Sequence, residues 1–481
     1  MPLYRLRQDP RRGPPGRGAP APRPRVSALL IDRCEAVVTM DEAGTEIPGG
    51  SLLVQDGVIT WVGTGPPPVP PETERVDGRG LVALPGLVNT HHHLYQALTR
   101  VRAQEQGLFG WLRTLYPVWA GVDAEWTWAA ARVALAELAL SGCSTTTDHH
   151  YVFPRGGGGI LEAAIAAAAS LGLRFHPCRG SMDLGASRGG LPPDELVEDA
   201  DTVLHHTEEV IRRHHDPSPT AMLRIAVAPC SPFSVTPRLM REAAELARRL
   251  GVRLHTHIAE TRDEEAYCLE TFRQRPVELL EEMGWLGPDV WLAHCVHLDG
   301  GDIQRLARTQ TAVAWCPTSN LRLGSGIAPA PALLRAGVTV GLAVDGSASN
   351  DSGHLLAEAR VGLLASRVHG AATLGAREVL RAATRGGALC LGRPELGSLV
   401  PGQQADVALF SVEGVEFAGA QADPVAALLF CTPRRVRHLL VAGQWVVRDG
   451  RLVRADEEEI AVEGRRVARE ILSWSERAVV G

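Results

Sequence analysis

The feature that most limits this chain is a recurrence. Between residues 85 and 396, eight short apolar runs each end on side chains able to do chemistry. In order they are LVNTHHH, STTTDHH, LRFHPCRG, LRIAVAPC, VRLHTHIAE, VWLAHC, TAVAWCPTSN and TVGLAVDG. Helical stretches lie between several of them. The clearest, PRLMREAAELARRLG, follows a threonine suited to cap a helix and closes on glycine. Short strands alternating with helices predict a parallel sheet with crossover helices. Eight such units predict an α/β fold, a TIM-like (β/α)8 barrel. In that architecture the C-terminal strand ends share one mouth. His91, His93, Asp148, Arg179, Cys230, His257, Glu260, His294, Asn320 and Asp345 all sit at or just past such an end.

The flanks read differently. Residues 27–84 contain SLLVQDGVITWVG, two apolar runs around Asp56-Gly57, which is a hairpin signal. Residues 397–481 repeat the pattern in ADVALF and VRHLLVAGQWVVRDGRLV, broken at Ala442-Gly443 and Asp449-Gly450. These segments are expected to be two parts of one small β-sandwich, split by the barrel and followed by a C-terminal helix. Residues 1–26 are rich in Arg, Pro and Gly and are expected to lack fixed structure.

Composition narrows the function. A net charge of −6 gives no basic bias toward nucleic acid. No apolar run is long enough to span a membrane, and no signal peptide is visible. Nine scattered cysteines without a C-x-x-C pair fit a reducing cytoplasm rather than a disulfide scaffold. All 49 basic residues are arginine; lysine is absent.

Alternate residues of a strand share a face, so His91 and His93 point one way and His92 the other. Two converging imidazoles make half of a metal site. His255-Thr256-His257 repeats the alternation, with Glu260 three residues on, within reach of a water without being a ligand. His294 ends the sixth run and Asp345 the eighth. The ordered set, rather than any one member, predicts a metal centre at the barrel mouth.

PGLVNTHHHLYQ, LHTHIAE, AHC and AVDGSASND resemble the amidohydrolase superfamily, and within it the deaminases of aromatic bases and triazines. The resemblance covers nearly the whole chain after residue 27. It implies that His91, His93, His257 and Asp345 hold the metal, that Glu260 shuttles protons, and that His294 orients the water or substrate. Many two-metal members bridge their ions with a carboxylated lysine, which a chain without lysine cannot supply. One divalent metal is therefore expected, and imidazole and carboxylate ligation suits Zn2+.

LFGWL, RGSMDLGASRGGLPPD, VAPCSPFSV, SGIAP and DGSASND are most similar to the branch acting on 8-oxoguanine, a small purine-like substrate. The resemblance, more than the residues themselves, suggests further contacts. Gln96 would bond ring polar atoms, Trp111 would stack on or wall the ring, and Arg179 would pair with a carbonyl oxygen. Cys230 stands where related deaminases carry His, and is a candidate specificity residue. Trp315 stands where relatives often carry His, which would alter the pocket floor. By analogy with relatives, a homo-oligomer is expected.

Overall fold

The computed structural model describes residues 28–480, apart from 66, 68, 155–157, 369, 371 and 372. The expectation for residues 1–26 lies outside the described residues.

The apolar runs form eight parallel strands in strict chain order. They are Leu87–Asn89, Cys143–His150, Arg174–Ser181, Ala226–Pro229, Leu254–Ile258, Val290–His294, Ala312–Trp315 and Val340–Leu342. The last strand closes on the first: Thr90 N donates to Leu342 O (3.1 Å), Val344 N to Asn89 Oδ1 (2.9 Å) and Asp345 N to His91 O (3.2 Å). The predicted helix spans Pro237–Leu250. The Thr236 side chain caps it by accepting from Leu239 N, and Gly251 ends it at φ 69°. Helix and strand boundaries of the other crossovers follow the same alternation.

Beside the barrel stand two sheets. One has four strands, all from the N-terminal flank; the other has seven, four from the C-terminal flank set beside three from the N-terminal one. Leu81–Pro85 pairs with Val407–Ser411 at its centre, so the ends of the chain are joined by a main-chain ladder. Leu29, Ile31, Leu52, Val407, Leu409 and Leu440 pack between the sheets as a separate apolar cluster. Asp56-Gly57 and Ala442-Gly443 both form two-residue turns with positive φ at each position. The two turns abut: a Cβ on Gly443 would lie 2.8 Å from Gly57 Cα, so the contact requires glycine. The C-terminal helix spans Glu457–Val480.

Among the described residues, no helix is long and apolar enough to cross a membrane.

Candidate active site and metal centre

Three histidines reach the barrel mouth with their free nitrogens already determined. His93 Nδ1 lies 2.7 Å from His149 O, and His257 Nδ1 lies 2.7 Å from Cys230 O. A carbonyl only accepts, so each Nδ1 carries the proton and each Nε2 is left with a lone pair. His91 reaches the same state through a relay. His255 Nδ1 donates to Trp291 O (2.8 Å), so His255 Nε2 accepts from His91 Nδ1 (2.7 Å), and His91 Nε2 is free. Burial lowers the pKa of all four rings and keeps them neutral.

Asp345 completes the cluster. Its Oδ2 accepts from Ser319 Oγ (2.5 Å) and Ser349 Oγ (2.9 Å), which turns Oδ1 toward the histidines. Oδ1 lies 3.2 Å from His91 Nε2 and 3.3 Å from His93 Nε2. The Nε2 atoms of His93 and His257 stand 3.1 Å apart.

Electron pairs facing one another at these distances fit a shared cation. Four ligands at about 2.0–2.1 Å from one zinc define tetrahedral edges of about 3.3 Å. His91 Nε2 and Asp345 Oδ1 are buried with no hydrogen-bond partner among the described residues, which suits atoms that ligate an ion. The donor set of three imidazoles and one carboxylate suits a divalent ion such as Zn2+.

Glu260 stands beside this cluster, its backbone held by another carboxylate. Glu264 accepts from Ala259 N and Glu260 N, both at 2.8 Å. Burial pushes the Glu260 carboxyl up to about 7, so near neutrality it can both give and take a proton. His294 Nε2 lies 3.5 Å from Glu260 Oε2, and His294 Nδ1 donates to Asn320 Oδ1 at 2.9 Å. Burial opposes a charge on His294, but Glu260, Asp345 and the Asn320 bond raise its pKa overall. The chain takes left-handed φ at Ala259 (52°), His294 (71°) and Asp345 (62°), a backbone cost concentrated where these groups are aimed.

A cavity opens over the cluster. His93, His257, Glu260, His294 and Asp345 form its reactive side. Of the expected substrate contacts, Gln96, Trp111 and Cys230 line it. Trp111 Nε1 donates to Ala348 O (3.0 Å), which ties the helix Leu108–Trp119 to the loop after the eighth strand. Burial pushes the Cys230 thiol up to about 12, so it meets a ligand as a neutral group.

Arg179 does not join them. Its guanidinium is turned away and committed to Glu198 (2.7 and 2.9 Å), His206 and Gly180 O, over the Phe153 ring. Trp315 also leaves the pocket floor and packs against Gly362 of the helix Leu355–Val368. Sequence reasoning passed over the supports Glu264, Ser319 and Ser349, and named His255 without giving it a role. His255 had a usable signal, since it shares a face with His257.

Lone pairs of three imidazoles and a carboxylate converging at the C-terminal mouth of a barrel, with a carboxyl near pKa 7 beside them, define a metal-assisted hydrolase. Comparison with known proteins gives the family. The chain belongs to the amidohydrolase family, which matches residues 82–446, and it is a hydrolase of carbon–nitrogen bonds. It is similar to 8-oxoguanine deaminase of Pseudomonas aeruginosa, with 46% identity over 428 residues, 88% of this chain and 95% of that one. It is also similar to hydroxydechloroatrazine ethylaminohydrolase of a Pseudomonas species, 40% identical over 93% of this chain and 96% of that one. Among solved structures it is similar to zinc-complexed atrazine chlorohydrolase TrzN of Arthrobacter aurescens TC1. That likeness has a TM-score of 0.87 and 36% identity, covering 92% of this chain and all of the other.

Proposed function

We propose that this enzyme hydrolyses 8-oxoguanine to urate and ammonia with one divalent ion, Zn2+, held by His91, His93, His257 and Asp345. The observation that carries the chemistry is the placement of Glu260 and Asp345 along one side of a single small cavity. The substrate is suggested by the 46% identity with a deaminase of that name over most of both chains.

When bound, the ion acts as a Lewis acid that brings water toward a pKa of about 7. Asp345 takes a proton from the attacking water, with Ser319 and Ser349 fixing which oxygen it offers. Water oxygen adds to C2 of the purine, the carbon bearing the exocyclic amine. Glu260 gives its proton to the adjacent ring nitrogen, which keeps charge from building there. His294, anchored through Nδ1 to Asn320, has Nε2 available to hydrogen-bond the attacking oxygen or a neighbouring carbonyl. The tetrahedral carbon collapses as Glu260 takes back the proton of the added hydroxyl and Asp345 returns its own to the amine; the C–N bond breaks and ammonia leaves. Gln96 offers an amide to the ring edge; its buried Oε1 has no hydrogen-bond partner among the described residues. Trp111 walls the ring, and the neutral Cys230 thiol borders the pocket near His257.

The alternative is aminohydrolysis of another amino-substituted ring, favoured by the 40% identity with a triazine aminohydrolase. Ammonia release across 8-oxoguanine, guanine, isocytosine and hydroxytriazines separates the readings. The highest kcat/KM is expected on 8-oxoguanine; a higher value on a triazine rejects that substrate.

A further inference from the structure

Glu358 lies on the helix Leu355–Val368, outside the cavity-lining set, and is 2% exposed. Its two oxygens face opposite ways. One accepts from Thr318 N at 2.7 Å, and the other from Asn350 Nδ2 at 2.8 Å. Thr318 lies in the first turn of the short helix Pro317–Arg322, which follows the seventh strand. The next residue, Ser319, bonds Asp345, and the one after, Asn320, bonds His294. Asn350 belongs to the loop after the eighth strand. Its amide also donates to Val344 O (2.7 Å), next to Asp345, and its neighbour Ser349 bonds Asp345 from the other side. A single carboxylate thus joins two separate loops, and every polar support of Asp345 Oδ2 hangs from one or the other.

We propose that Glu358 is a positioning residue of this active site, clamping the seventh- and eighth-strand loops so that Asp345 and His294 hold one mutual geometry. The assignment rests on the hydrolase reading of the site. A carboxylate suits the task because both oxygens accept, and both neighbours are donors. Glutamine would present its own donor to one of them. Glu358 touches neither cavity nor ligand nitrogen, so its influence runs through Ser319, Asn320 and Ser349.

The test is Glu358→Gln in the full chain, loaded with Co2+ for spectroscopy and with Zn2+ for kinetics. Expected results are a changed visible Co2+ absorption at unchanged metal stoichiometry, and a kcat about 10–100-fold lower with KM within about twofold of wild type. Asn350→Ala, which frees only the eighth-strand side, should give the same spectral change with a smaller fall in kcat. It also serves if Glu358→Gln does not fold. A wild-type spectrum and kcat in whichever variant folds overturns the proposal, as does a loss confined to KM. The Co2+ spectrum needs no substrate, so failure to deaminate any ring would sink the proposed function while leaving the Glu358 question decided.

Discussion

His93 and His257 point their unprotonated Nε2 atoms at each other across 3.1 Å, each ring committed through Nδ1 to a backbone carbonyl. Neither can rotate away without abandoning that carbonyl. An ion between them relieves the repulsion, so ligation and stability are linked. Stripping metal with a chelator should lower Tm by several degrees and abolish turnover. One equivalent of Zn2+ per chain should restore both, as read by thermal shift and elemental analysis. Restoration that needs two equivalents would reject the single-ion centre.

His255 fixes the tautomer of His91 through two successive hydrogen bonds. His255→Phe keeps the ring volume and removes the relay. Metal affinity should fall about 10–100-fold in competition with a chromophoric chelator, the usual scale for losing a group that orients a ligand. Unchanged affinity would mean that His91 needs no partner.

In the proposed mechanism Glu260 delivers a proton, and burial raises its carboxyl to about 7. The sign follows: the acid form is present below that value and is lost as pH rises through it. A profile of kcat/KM should therefore fall on the alkaline side of about 7. Glu260→Gln should keep its metal and lose about 10²–10⁴-fold in kcat. A mutant with near-normal kcat would remove Glu260 from the proton path.

Arg179 is fully buried and paired with Glu198 away from the cavity. Arg179→Ala should thus act on stability, by about 3 kcal/mol, the low end for breaking a buried pair, because Glu198 retains some exposure. Denaturant unfolding measures it. A raised KM at unchanged stability would return Arg179 to the substrate.

The barrel was legible, and its proposed ligands could be named, because both obey short rules: apolar runs make strands, and strand ends face one mouth. Alternation also placed His91 beside His93. Arg179 was misjudged because a strand end locates the Cα and not the direction of the side chain. Its neighbour Cys178 packs with Trp291 in the barrel interior, and alternation sends Arg179 outward. The groups joined by Glu358 were illegible for another reason. Thr318 and Asn350 lie 40 and 8 residues from it, and only the folded helix brings its carboxylate between them.

The hydrogen bond from Asp345 N to His91 O is the seam where the ring of strands meets itself. The residues on either side of that seam are also two of the proposed ligands, one from the beginning of the barrel and one from its end. No fragment lacking either terminus of the barrel carries the full set. Full coordination by the proposed set therefore requires the ring to be closed, and a fully ligated ion would report that the chain has finished its circuit.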